Sequence, residues 1–319
     1  MNRIVSFLLV CLFIPTLLAA GQWVGITSNN PTAVTVALVS TSANETVLSM
    51  NLQGYYQKVV ETPRGDAATI SAPETSYLLQ AGAPEISKFA TSIIIPDFAK
   101  MKVDINNSTF IDYTNVEIAP SKGSILRTVD PSAVPFIYGD QYNQDTFFPG
   151  TLAKLQDPFI VRDFRGQTVW IYPFQYNPVS KVLRVYTNIQ LTISVENQNG
   201  QNVFNRVQPL TAVDREFSYI YSSLFKNAPS VLNYTPLTEE GTMLIISKDI
   251  YISSLDGFVE WKAKRGVLCE IVDVATIGNT STAIKNFITT YYASNNLKYV
   301  LLVGGYTRYC LSYIIGWNQ

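Results

Sequence analysis

The chain has 319 residues, enough for two domains that each bury a core. Its net charge is −1, 15% of its residues are charged, and it contains no histidine. That composition excludes a basic nucleic-acid footprint, Ser-His-Asp and Cys-His catalysis by these residues alone, and zinc sites built from His and Cys.

Residues 1–20, "MNRIVSFLLVCLFIPTLLAA", carry one early cation (Arg3), an apolar run over 4–18 and small residues at the end. This is the layout of a secretory signal peptide, with cleavage expected near Ala20 or Gly21 and a secreted product. The run falls short of the roughly 18–20 residues that span a bilayer, and Pro15 interrupts it. No stable membrane span is expected after signal cleavage. Cys11 lacks the small preceding residue of a lipid-attachment site and reads as apolar filler.

From Gln22 to about Asn205 come short apolar or alternating runs: "WVGIT", "TAVTVALVS", "TVLSMNLQGYYQKVV", "TSIIIPD", "KMKVDIN", "NVEIAP", "FIVRDFRGQTVWIYPFQY", "KVLRVYTNIQLTISVE" and "QNVFNRV". In the eighth, Val182, Val185, Ile189, Leu191, Ile193 and Val195 give mostly period-two spacing, closed by Asn197-Gln198-Asn199-Gly200. Such runs predict an antiparallel sandwich or barrel. Pro63, Pro73, Pro84, Pro96, Pro120, Pro131, Pro135 and Pro149 belong in connections and at edges. Sequons at Asn44, Asn106, Asn107, Asn233 and Asn279 say only that those sites could be exposed, and they matter only in a glycosylating host.

A polar stretch over 232–242 reads as a linker. Beyond it, "MLIIS" and "VLCEIVDV" predict strands, with a helix between them on Leu255, Phe258, Val259 and Lys262. That helix is expected to be capped by Ser254 and stopped by Gly266. A second helix with Ile284, Phe287, Ile288 and Tyr291 on one stripe leads to the strand "YVLLVG". The order β-α-β-α-β with apolar strands predicts a parallel sheet of three adjacent strands. Three strands leave edges and one flank uncovered, so the rear piece is expected to aggregate or lean on the sandwich.

Little here carries chemistry. Cys269 sits in a strand-like run and reads as a small buried hydrophobe; Cys310 has no histidine to activate it. The acidic pairs Asp214 with Glu216, Glu239 with Glu240, and Asp157 with Asp163 read as solvated charge. Gly304-Gly305 ends a strand, as at a nucleotide crevice, but the fuller glycine pattern is missing. No metal site and no cofactor is expected.

Several segments together resemble the gingipain-type cysteine peptidases, relatives of caspases and legumains. In front these are "AGAPEISKFATSIIIPDFAKMKVDI", "EIAPSKGSILRTVDPSAVPFIYGDQYN" and "DPFIVRDFRGQTVWIYPFQYNPVSKVLRVYTNIQLTISV". In the rear they are "YTPLTEEGTMLIISKDIY", "DGFVEWKAKRGVLCEIVDVATIG" and "KYVLLVGG". The resemblance implies a signal peptide (1–20), an inhibitory β-sandwich prodomain (21–233) and the start of a caspase-like α/β catalytic domain (234–319). It implies activation by cleavage at Asn233–Tyr234, where Asn233 departs from the basic residue of arginine-specific members. Arg127 is the candidate side chain offered to the specificity pocket. The family's catalytic histidine and cysteine belong to later strands, so no catalytic residue is assigned here and the chain is expected to be inactive as given. The implied partner is its own or a paralogous peptidase domain, with protein substrates only for a completed enzyme. The alternatives are a stand-alone sandwich inhibitor and an extracellular adhesin-like binding protein.

Overall fold

A computed structural model describes residues 21–206, 210, 213–231, 236–237 and 241–304. The expected signal peptide, Asn233, Tyr234 and Cys310 lie outside the described residues. The chain divides into two compact units, one of Met1–Val203 with Ser222–Val231, the other of Phe204–Tyr221 with Leu232–Gln319.

The first unit is built from three antiparallel sheets. In one, β1 (Gln22–Gly25) pairs with β4 (Gly54–Thr62), and β4 with β5 (Gly65–Ser71). The sheet that includes β2 (Thr35–Thr41) and β3 (Glu45–Asn51) runs β12-β13-β3-β2, with β8 (Lys100–Tyr113) also on β13. The last sheet runs β10-β11-β7-β6, from β6 (Ser76–Tyr77) and β7 (Ser87–Ile94) to β10 (Phe159–Val161) and β11 (Phe164–Ile171), with β9 (Ala153–Leu155) on β11. Strand β12 spans Phe174–Asn177 and β13 spans Val182–Asn197.

Alternation puts one set of side chains from each sheet into a common core. Leu48 and Met50 of β3 and Ile189, Leu191 and Ile193 of β13 share it with Ile93 of β7 and with Val169 and Ile171 of β11. Each such side chain contributes about 1.5–3 kcal/mol by leaving water. On β13 the buried residue near the start is Leu183, not Val182, and a bulge between Tyr186 and Asn188 shifts the register against β8.

One expected strand is absent and one unforeseen strand is present. Residues 201–206 of "QNVFNRV" form no strand, because the carbonyls of Gln201 and Asn202 are taken by the Arg165 guanidinium. Strand β5, "GDAATIS", is too small and polar to show apolar alternation, yet it pairs with β4 over seven residues.

The second unit contains a three-stranded parallel sheet in the order β17-β16-β18. Its strands are β16 (Thr242–Ser247), β17 (Leu268–Asp273) and β18 (Leu297–Val303). A short parallel pair precedes it, β14 (Val213–Asp214) with β15 (Pro236–Leu237). The helices are α1 (Arg215–Leu224), α2 (Ala228–Val231), α3 (Asp249–Ile252), α4 (Asp256–Lys264), α5 (Val274–Ile277) and α6 (Ser281–Ser294). The division between the units falls inside α1, and α2 belongs to the first unit.

Strand β16 is buried along Met243–Ser247, whereas its flanking strands are half open, with Leu268 69% exposed. Ile284, Ile288 and Tyr291 of α6 pack on Leu244 and Ile246, as the helical stripe requires. Ser254 does not cap α4. The chain enters through α3 and a 3-10 turn over Ser253–Leu255, which leaves Leu255 at the cap position. Gly266 does stop the helix, at φ +79°, with the Gly266 and Val267 amides donating to Ala263 and Lys262.

Candidate functional site

The feature of the sandwich with the form of a recognition element is the segment 121–139. Its two ends meet at one residue. The Gly82 amide donates to the Ser121 carbonyl at 2.8 Å, and the Gly82 carbonyl accepts from the Gly139 amide at 2.9 Å. Gly82 has φ +78°, the left-handed region, and a Cβ there would stand 3.2 Å from Gly139 Cα. Gly123, at φ +77°, turns the chain outward, and its amide donates to Ser121 Oγ.

Beyond Gly123 the loop rises to a turn in which the Val129 amide donates to the Leu126 carbonyl at 3.0 Å. Arg127 occupies this turn and is exposed. Apolar side chains surround it in sequence: Leu126 is 74% exposed, and Val129 and Ile137 are exposed too.

The descending limb is stiffened locally. Asp130 Oδ1 accepts from the Ser132 amide at 2.8 Å, and that bond, with the Ser132 hydroxyl, holds the Asp130 carboxyl below its ordinary value. Lys122 Nζ donates to the Pro131 carbonyl at 2.8 Å and lies 4.3 Å from the centre of the Phe136 ring. Tyr138 hydrogen-bonds Thr62 Oγ1 at 2.8 Å, packs edge-on against Tyr142 and carries the Arg64 guanidinium 3.9 Å above its ring. Tyr142 donates to the Ile118 carbonyl, and burial raises its phenol well above the ordinary value. Under the loop, burial also raises the Glu85 carboxyl, partly countered by a hydrogen bond from Ser121.

Among the described residues, no catalytic constellation stands beside this loop. Among the described residues, no cluster of three or more His, Cys, Asp or Glu could hold a metal ion. Cys269 lies on β17, half-buried, and burial pushes its thiol up, against a smaller opposing effect of Lys262. Asp214 is buried in an ion pair with Lys298. Asp163 pairs with Arg162 at 3.8 Å. The side chains of Glu216, Glu239 and Glu240 lie outside the described residues. A cavity of about 610 Å³ opens beside Arg165, but four backbone carbonyls already occupy that guanidinium. Gly304 ends β18 at an exposed bend, and Gly305 lies outside the described residues.

The Propeptide_C25 family model matches residues 26–225, and that of Peptidase family C25 matches residues 237–314. The chain belongs to the gingipain-type C25 peptidase family. Gingipain R1 of Porphyromonas gingivalis is 38% identical over 273 residues, covering 84% of this chain and 27% of the relative. Gingipain R2 of the same species, strain ATCC BAA-308 / W83, is 37% identical over 275 residues, covering 84% and 37%. The chain therefore spans 27% to 37% of the length of these relatives. A solved complex of Porphyromonas gingivalis RgpB pro- and mature domains superposes with TM-score 0.57 at 36% identity, covering 61% of this chain and 97% of that one.

In this C25 chain the propeptide match covers the sandwich from β2 on, with its exposed loop, and the peptidase match runs from Leu237 through β16, β17 and β18 and beyond. Arg127 was named by resemblance. The residues that hold its loop, Gly82 and Gly139, went unassigned, although the glycines in "AGAP" and "YGD" were visible signals. Among the described residues, no helix is long and apolar enough to cross a membrane.

Proposed function

We propose that the chain is the front part of an exported gingipain-type cysteine endopeptidase precursor, with the sandwich as its latency element. The sandwich docks on a peptidase domain of its own family, its own or a paralogue, and Arg127 enters the specificity pocket. The observation that carries this reading is the loop 121–139, tied at both ends to Gly82 and bearing Arg127 on its outer turn. A rigid base limits the ordering cost of binding, as in other pre-organised inhibitors. The known complex of RgpB pro- and mature domains supports association of the same two parts here.

Export rests on residues 1–20, and release of the propeptide on scission at Asn233–Tyr234. Without an imidazole, and with the Cys269 thiol raised, residues 21–319 hydrolyse no peptide. The test is to add purified 21–319 to active Gingipain R1 and follow hydrolysis of an arginyl peptide. The expected result is inhibition, weakened about tenfold or more by Arg127→Ala. Absence of inhibition by the parent chain would refute the latency role, and equal inhibition by the variant would refute Arg127.

A further inference from the structure

The seam between two sheets of the sandwich holds a hollow that the latency role leaves unused. The cavity of about 610 Å³ takes Met101 from β8 and Asn197 from β13 on one side, and Leu155 from β9 and Gln167 from β11 on the other. Strands β8 and β13 belong to one sheet, β9 and β11 to another. Its size is that of a small-molecule site.

Two side chains on its wall carry buried polar atoms with no hydrogen-bond partner among the described residues, Nε2 of Gln156 and Oε1 of Gln167. Gln167 is 6% exposed, and its Nε2 donates to the Gln156 carbonyl at 2.7 Å, which fixes the plane of its amide. Buried donors and acceptors left unpaired cost stability, so each calls for a partner.

Charge on the wall is already committed. The Arg165 guanidinium donates to the carbonyls of Pro96, Ala99, Gln201 and Asn202. Lys100 pairs with Glu196 at 2.9 Å, and Asp157 is exposed to water. A ligand suited to this wall is neutral. It offers a donor and an acceptor, one for each orphan atom, and an amide does so whichever way the two glutamines are turned.

We propose that this cavity binds a neutral ligand through a secondary amide. The ligand N–H donates to Gln167 Oε1, its carbonyl accepts from Gln156 Nε2, and its alkyl end lies against Met101, Leu155 and Pro158. The soft terminal torsion of Gln156 lets its N–H swing toward the ligand at little cost. An acetamido sugar and a peptide unit share this chemistry. The site has no residue in common with the loop 121–139 and does not depend on inhibition.

The test titrates N-acetyl-D-glucosamine and, separately, N-acetylglycine methylamide into isotope-labelled 21–319 and follows backbone amide shifts by NMR. D-glucose serves as the probe without an amide. The expected result is saturable shifts at 155–157, 167 and 197–201 with at least one amide probe and none with glucose; the probe that binds names the source. Gln156→Met should weaken that binding about three- to tenfold, the worth of one neutral hydrogen bond. The same variant should melt, without ligand, at the parent's temperature or higher, because an unpaired N–H is gone. No saturable shift with either amide probe, equal shifts with glucose, or unchanged affinity in the variant overturns the proposal. A variant that melts lower would show that the fold already satisfies Gln156 Nε2, and overturns it as well.

Discussion

Gly82 and Gly139 approach so closely that a side chain on either would press on the other's backbone: a Cβ on Gly82 stands 3.2 Å from Gly139 Cα, and one on Gly139 stands 3.1 Å from the Gly82 carbonyl oxygen. The same two residues share a 2.9 Å hydrogen bond. This closure sets the base of the loop that carries Arg127.

Gly82→Ala therefore combines a strained φ of +78° with crowding at the loop base. It should lower stability by about 1–3 kcal/mol in a urea titration. It should also weaken inhibition of Gingipain R1, because the turn at Arg127 is no longer held in place. A variant that is destabilised yet inhibits like the parent would separate the loop base from recognition.

Glu85 gives the sandwich a pH dependence whose sign can be worked out. Burial raises its carboxyl pKa above the unfolded value. The folded state thus keeps the proton to higher pH than the unfolded one. That contribution to stability is fully present below the unfolded pKa and is lost as pH rises through the folded one. Glu85→Gln should raise the melting temperature by about 1–3 °C at pH 7 and by nothing below about pH 4. Thermal melts at the two pH values check this; a gap of equal size at both would mean the carboxyl's charge is not the cause.

Cys269 should behave as a sheltered thiol. Its pKa is raised by burial, with Lys262 opposing in part. Peptide mapping after iodoacetamide treatment at pH 7 should show modification at Cys269 at least about fivefold slower in the folded chain than in urea. Cys269→Ala should leave the absence of peptidase activity unchanged. Fast alkylation of the folded chain would reopen a nucleophilic role.

The sandwich was legible where alternation is apolar, as on β13, because burial of one face imposes a period of two on the side chains. It was illegible where long-range contacts decide. The run at 201–206 looks like a strand, but its carbonyls serve Arg165, a partner some 36 residues away. Helix α1, "REFSYIYSSL", hides its helical nature behind aromatic and serine residues, and tertiary packing of Tyr221, fully buried, overrides that local preference. For the site, Arg127 took its meaning from the family resemblance, while the hold of its loop on Gly82 is made by Ser121 and Gly139, which lie far along the chain from it. Strand β14 and Asp214, which lie before the linker in sequence, belong to the α/β unit and meet β15 and Lys298 there, a long-range pairing that no local pattern announces.

Phe225 and Gly166 offer a double-mutant test of how the C-terminal end of the propeptide match returns to the sandwich. A Cβ on Gly166 would lie 2.4 Å from Phe225 Cε1, and the Phe225 ring stacks on Phe159 at 6.0 Å. Gly166→Ala must push the ring aside and should cost about 1–3 kcal/mol. Phe225→Ala empties the site and should cost about 3–5 kcal/mol. In the Phe225→Ala background the clash with the ring is gone, so adding Gly166→Ala should cost well under its single-variant value. Urea titrations of the four chains measure the coupling. Strict additivity would show that the glycine is needed for β11 itself and not to admit the ring.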